Sequence, residues 1–147
     1  MKTCFVISPL RGTEEQFTAI DREVEKAVAY SWMHKDPSAR ATYIRLATLH
    51  HRRHLLESNV ALCKRLCFDL ALLGYAPWAP HLFYPLFLDD GDEFQRDLGM
   101  AMGRAWMARS EEAFVYRKAG LSSGMRGDIE AATGLGIMLT TPPAWMP

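Results

Sequence analysis

The sequence predicts an α/β domain built on a mostly parallel sheet of four or five strands. Three observations carry that expectation. Short apolar runs without alternation, bounded by turn residues, suit strands buried on both faces. These runs alternate with segments of helical period, the pattern of right-handed βαβ crossovers. The chain has 147 residues, 49% of them apolar, enough for one sizeable core and too few for two.

The first strand is Thr3 to Ser8, stopped by Pro9. Residues 13–33 then read as a helix, with Phe17, Ile20, Val24, Ala27, Val28 and Ser31 on one stripe. Lys35 to Ser38 reads as a turn, with Ser38 as N-cap of the next helix. That helix spans Ala39 to Leu73, with residues 50–54 the place where a break or kink can fall. Leu55, Leu62, Leu66, Leu70 and Leu73 form its apolar face, and Gly74 stops it. Residues 13–54 thus read as a helical pair inserted into the α/β core.

Tyr75 to Pro80 is a brief strand running into a loop, since its prolines exclude a long central strand. Residues 81–92 form an aromatic and acidic loop, and Glu93 to Arg109 a helix. Ala113–Tyr116 is a strand, Gly120–Gly124 a loop, Asp128–Thr133 a short helix stopped at Gly134, and Ile137–Thr140 the last strand. The tail from Thr141 is irregular.

Seventeen basic and seventeen acidic residues give a formal net charge of zero, which argues against a nucleic-acid polymer or an anionic membrane as partner. The same balance removes repulsion between copies, so a homo-oligomer is expected. No apolar run reaches the roughly 20 residues of a membrane span, and no signal peptide is recognisable at the N-terminus. Cys4, Cys63 and Cys67 are an odd set, not a disulfide framework, and the expected compartment is the reducing cytoplasm. Cys63 and Cys67, i and i+4 on an apolar side, read as core. His50, His51 and His54 with Arg52 and Arg53 make a basic cluster without the carboxylate or Cys spacing of a metal motif, so it reads as a solvated or phosphate-facing patch. Gly99 and Gly103 permit a close helix approach, either in internal packing or between copies.

In parallel α/β sheets, ligands bind outside the carboxyl ends of the strands. Three loops leave those ends. Ser8-Pro9-Leu10-Arg11-Gly12 places a hydroxyl, a guanidinium and backbone N–H groups where a phosphate can be cradled, or serves as a plain strand-to-helix turn. Around His81 and Tyr84, aromatic side chains either stack on a planar base or form a rigid apolar loop. In Ser122-Ser123-Gly124-Met125-Arg126-Gly127-Asp128, a serine caps a helix whose first N–H groups face an anion. Asp128 is then expected about one turn in, where the helix dipole alone favours an acid by about 0.3–1 kcal/mol.

The segments CFVISPLRG (4–12), GYAPWAPHLFYPLFLDD (74–90), GMAMGRAWM (99–107) and SSGMRGDIEAATGLGI (122–137), in this order, resemble the nucleoside 2-deoxyribosyltransferase superfamily, which includes the 2'-deoxynucleoside 5'-phosphate N-hydrolases. The resemblance covers most of the chain except about 13–50. It implies a Rossmann/flavodoxin-like three-layer sandwich and a carboxylate nucleophile at Asp128 attacking the anomeric carbon. It also implies a phosphate contact at Ser122 and a first phosphate loop at Arg11 and Gly12. Asp128 is one methylene shorter than the family's Glu, which withdraws the carboxylate by about 1.5 Å, where a shift near 1 Å costs about a hundredfold. Gly103 stands where the family carries an Asp, and Asp97 lies nearly two turns earlier.

The functional expectation is an N-glycosidase or deoxyribosyltransferase acting on a (deoxy)nucleoside or nucleotide, without metal or cofactor. Asp128 and His81 are the catalytic candidates, His81 as the acid that assists the leaving base. Ser8, Arg11, Gly12, Tyr84, Ser122, Ser123 and Gly124 are the binding candidates. The alternatives are a non-catalytic nucleotide-binding or sensing module, and a small assembly protein that interacts through its helical insertion.

Overall fold

In the computed structural model, residues 1–29 and 36–146 are described. Ser31 and Lys35, placed above in a helix stripe and a turn, lie outside them. In chain order the elements are β1 (Lys2–Ile7), α1 (Glu14–Ala29), α2 (Pro37–Leu72), β2 (Tyr75–Trp78), α3 (Pro80–Phe83), a 3-10 turn (Tyr84–Leu86), α4 (Glu93–Met107), β3 (Glu112–Val115), α5 (Ser123–Gly134) and β4 (Met138–Thr140). The four strands form one all-parallel sheet in the order β2-β1-β3-β4.

β1 organises the three layers because successive residues point to opposite faces. Cys4 and Val6 join Cys63, Leu66 and Leu70 of α2, with Phe114 and Met146, on one face. Phe5 and Ile7 join Met107 of α4 and Met125 and Ala132 of α5 on the other. β2 lies at the sheet edge, where Pro77 opposite Cys4 is tolerated.

α2 departs from the expectation in three ways. Its N-cap is Asp36, not Ser38: the Asp36 carboxylate accepts from the N–H of Ser38 and Ala39 at 2.9 and 3.1 Å, and Pro37 opens the helix. It runs through residues 50–54 unbroken, since nothing there removes a backbone donor. Its buried stripe is Asn59, Cys63, Leu66 and Leu70, while Leu73, expected on that face, is 49% exposed. Cys63 is buried and Cys67 packs at the edge of the same cluster, so both belong to the core. The helical pair is therefore continuous with the sheet-packing layer: α1 lies against the first half of α2, and the second half covers the sheet.

α1 begins with a reciprocal cap. Thr13 N–H donates to the Gln16 side chain at 2.9 Å and Gln16 N–H donates back to the Thr13 hydroxyl at 3.3 Å. The fully buried Thr13 hydroxyl also donates to the Ala119 carbonyl at 2.8 Å, tying α1 to the segment after β3. α5 starts at Ser123, as the serine cap predicts, with Ser122 accepting from Met125 N–H at 3.3 Å. No helix of the described residues is long and apolar enough to cross a membrane.

Candidate functional site

In this strand order the chain leaves β1 toward β2 and then crosses back to β3, so the carboxyl ends of β1 and β3 flank a switch point. A cavity of about 720 Å³ opens there. The three loops singled out from the sequence converge on it: Ser8, Arg11 and Gly12 follow β1; His81 and Tyr84 follow β2; Ser122, Ser123, Gly124 and Asp128 follow β3.

The loop after β1 is held tightly. The buried Asn59 side chain of α2 donates to the Leu10 carbonyl at 3.1 Å. Gly12 has φ +130°, and a Cβ there would lie 2.6 Å from Leu55 and 3.1 Å from Phe17, so glycine is demanded both by conformation and by the approach of α1 and α2. Arg11 is already engaged: its Nε lies 2.6 Å from the Asp90 carboxylate, and its guanidinium also donates to the Asp90 carbonyl. Arg96 stands 3.9 Å from the same carboxylate.

The segment after β2 folds as a single helical turn and a 3-10 turn rather than as an open loop, with Pro80 and Pro85 near their starts. It rests on α4 through Gly103 and Gly99. A Cβ at Gly103 would meet Pro80 at 3.6 Å and Tyr84 at 3.9 Å, and one at Gly99 would meet Leu88 at 3.2 Å. The two glycines thus serve internal packing. Burial pushes the His81 imidazole below the ordinary histidine range, against a hydrogen bond that the ring donates to the Ser8 backbone and against the Asp90 charge, so the ring is neutral near pH 7. This makes His81 a hydrogen-bonding group and not a standing proton donor as the imidazolium.

Asp128 lies on the sixth residue of α5, beyond the first turn, so the dipole stabilisation expected for a first-turn acid does not reach it. Its carboxyl is pushed up to about 6 by burial, opposed by the Arg104 charge. No hydrogen bond or ion pair from the described residues holds it. The Glu130 side chain of the same helix is exposed.

Four buried side-chain polar atoms of the described residues have no hydrogen-bond partner, and three belong to residues of this cavity: Ser8 Oγ, His81 Nε2 and Tyr84 Oη. An unmet buried polar group costs about 1–3 kcal/mol, and such a cluster is what a site carries for a partner from outside the chain.

One wall was not legible as part of the site. Leu49, Arg52, Arg53 and Leu56 of α2 line the cavity together with Phe17 of α1. They fall at i, i+3, i+4 and i+7, one helix face, and continue the register of the buried stripe onto exposed positions: 49, 52, 56, 59, 63, 66 and 70 follow a 3-4 repeat. That register, followed past Asn59 toward the N-terminus, is the signal that finds them. The histidine-arginine cluster is thus divided: Arg52 and Arg53 line the cavity, whereas His50, His51 and His54 are exposed. Among the described residues no group of three or more His, Cys, Asp or Glu is arranged to hold a metal ion.

Comparison with curated proteins and with solved structures finds no match. A family match covers residues 50–141, from the middle of α2 to the end of β4, which takes in His81, Tyr84, Ser122 and Asp128 and leaves out β1 and α1. The match spans well over half of the chain, which therefore belongs to the family described as Domain of unknown function (DUF7768).

Proposed function

We propose that the cavity binds a (deoxy)nucleotide or nucleoside and that Asp128 attacks its anomeric carbon, in the manner of the nucleoside 2-deoxyribosyltransferase superfamily. The observation that carries this reading is Asp128 itself: a half-buried carboxylate with no hydrogen bond or ion pair among the described residues, raised to about 6 despite the Arg104 charge, on a cavity whose other walls offer arginines, a helix N-terminus and an aromatic ring. A structural acid would be paired; this one is ionised at neutral pH and free to act as a nucleophile.

In the proposed reaction an Asp128 oxygen bonds to the anomeric carbon as the bond to the base nitrogen breaks. The electron pair leaves with the base, which takes up a proton from water. Water then cleaves the glycosyl ester and restores the carboxylate, giving hydrolysis; a second base in place of water gives transfer. Ser122 and the first N–H groups of α5, with Ser123 and Gly124, receive the phosphate, joined by Ser8, Arg11 and Gly12. Tyr84 and the neutral His81 form the base side, where His81 orients the leaving base by a hydrogen bond. No metal or cofactor enters these steps. Buried thiols at Cys4 and Cys63 and the balanced charge are consistent with a cytoplasmic homo-oligomer, which belongs to the proposal.

The test is base release by chromatography across nucleosides and their mono-, di- and triphosphates. Wild type releases a base from at least one, and Asp128→Ala lowers that rate by a hundredfold or more. Equal behaviour of the two proteins across the panel removes Asp128 as nucleophile. One observation favours a second reading, a non-catalytic nucleotide sensor: Gly103 leaves α4 without a carboxylate on the cavity. Thermal stabilisation by nucleotides with no base release selects it.

A further inference from the structure

Arg52 continues the register of the buried face of α2 beyond Asn59, onto an exposed stretch that borders the cavity. In the 3-4 repeat of α2, the residues at 63, 66 and 70 are Cys, Leu and Leu against the sheet, and 49 and 56 are Leu. Position 52 interrupts that stripe with a charge, on the part of the face that overhangs the cavity. Its guanidinium carbon lies 5.0 Å above the centre of the Phe17 ring, which orients a long side chain without neutralising it.

The other cations of the cavity wall are compensated. Arg11 and Arg96 share Asp90, and Arg53 pairs with Glu57 at 3.1 Å. Arg52 has no carboxylate partner among the described residues. An oriented and unneutralised guanidinium on a cavity wall is a fork for phosphate oxygens. It also stands on a different element from the N-terminus of α5, so the cavity presents two anion-binding positions and not one.

We infer that Arg52, seated on Phe17 and seconded by Arg53, forms a second anion subsite that takes the terminal phosphoryl groups of a nucleoside di- or triphosphate. The α1–α2 hairpin then sets substrate class, selecting polyphosphorylated nucleotides over monophosphates and nucleosides. The inference rests on the reading of the cavity as a nucleotide site, but it concerns binding and does not need the bond-breaking step.

Calorimetric titration separates the two. The probes are inorganic tripolyphosphate, a nucleoside triphosphate and the matching monophosphate, each at low and at physiological salt. The expected result is that wild type binds tripolyphosphate and prefers the triphosphate to the monophosphate, and that Arg52→Gln weakens both polyphosphates about tenfold while leaving the monophosphate unchanged. Asp128→Asn, which abolishes the proposed chemistry, retains polyphosphate binding, so the subsite stands even if no base is ever released. Arg52 is exposed and Gln is a good helix former, so the variant folds; an unchanged circular dichroism melt checks this. Failure of wild type to bind tripolyphosphate, equal affinities in wild type and Arg52→Gln, or an equal loss for mono- and triphosphate, overturns the inference.

Discussion

Arg11 and Asp90 hold each other on the cavity wall, with Arg11 Nε 2.6 Å from the carboxylate and the same guanidinium bonded to the Asp90 carbonyl. The pair joins the loop after β1 to the turn that leads into α4. It also means that the arginine offered to a phosphate is already half neutralised, and that an incoming anion competes with Asp90 for one fork.

Asp90→Asn relieves that competition. Both side chains are more than a third exposed, so the pair contributes at most about 1 kcal/mol and the melting temperature barely moves. The dissociation constant for a nucleoside monophosphate falls several-fold at low salt, with the gain shrinking as salt is added. Titration of both proteins at two ionic strengths checks it. Weaker binding in the variant would mean that Asp90 positions Arg11 instead of competing for it.

Tyr84 carries a trade between stability and binding. Its ring is packed against Trp78 and Phe87, with centroids 6.3 and 6.0 Å apart, while its hydroxyl is buried without a partner and burial raises its pKa. Tyr84→Phe keeps the ring and deletes the unmet group, so it stabilises the unliganded protein by about 1 kcal/mol. The same variant shows a smaller thermal shift on adding nucleotide. Scanning calorimetry with and without ligand reads both effects, and a destabilised variant would show that the hydroxyl is satisfied.

Gly12 is the tightest point of the site. Gly12→Ala forces a side chain into φ +130° and against Leu55, costing about 2–4 kcal/mol from strain and overpacking together. Urea unfolding gives a lower midpoint with the slope unchanged. A loss below about 0.5 kcal/mol would mean that the loop relaxes away from α2.

The three-layer plan was readable because buried parallel strands and their crossovers leave coarse marks: CFVI and AFVY are apolar on both faces, and each is followed by a loop and a helical period. The convergence of Ser8–Gly12, His81–Tyr84 and Ser122–Asp128 follows from the same rule, since loops at the carboxyl ends of adjacent parallel strands meet. Boundaries were set by single hydrogen bonds that composition does not rank. Asp36 outcompeted Ser38 as a cap, and the expected Ser122 cap leaves Asp128 at the sixth residue of α5, just past the first turn. Phe17, Leu49, Arg52 and Leu56 leave no mark of the site in composition, because that wall shows only when the register of α2 is carried past Asn59 toward its N-terminus.

Asp128 ties stability to activity through one ionisation. Its ordinary value of 3.8 rises to about 6 in the folded protein because burial disfavours the charge. The folded state therefore binds the proton more tightly than the unfolded one, and stability falls as pH rises from about 4 to 6, then levels off. At about 1.4 kcal/mol per pKa unit, the ionised carboxylate costs up to about 3 kcal/mol at neutral pH. Asp128→Asn abolishes this slope: it matches wild type at pH 4 and is the more stable protein at pH 7 to 8. Base release runs the other way, rising with pH through about 6 as the nucleophile becomes charged. Followed from pH 4 to 8, the melting temperature should stop falling above about 6, where the release rate passes its half-maximum, and the Asn variant should lose both dependences. A release profile with its rising limb near 4 or near 8 would assign the titration to another group and separate the chemistry from Asp128.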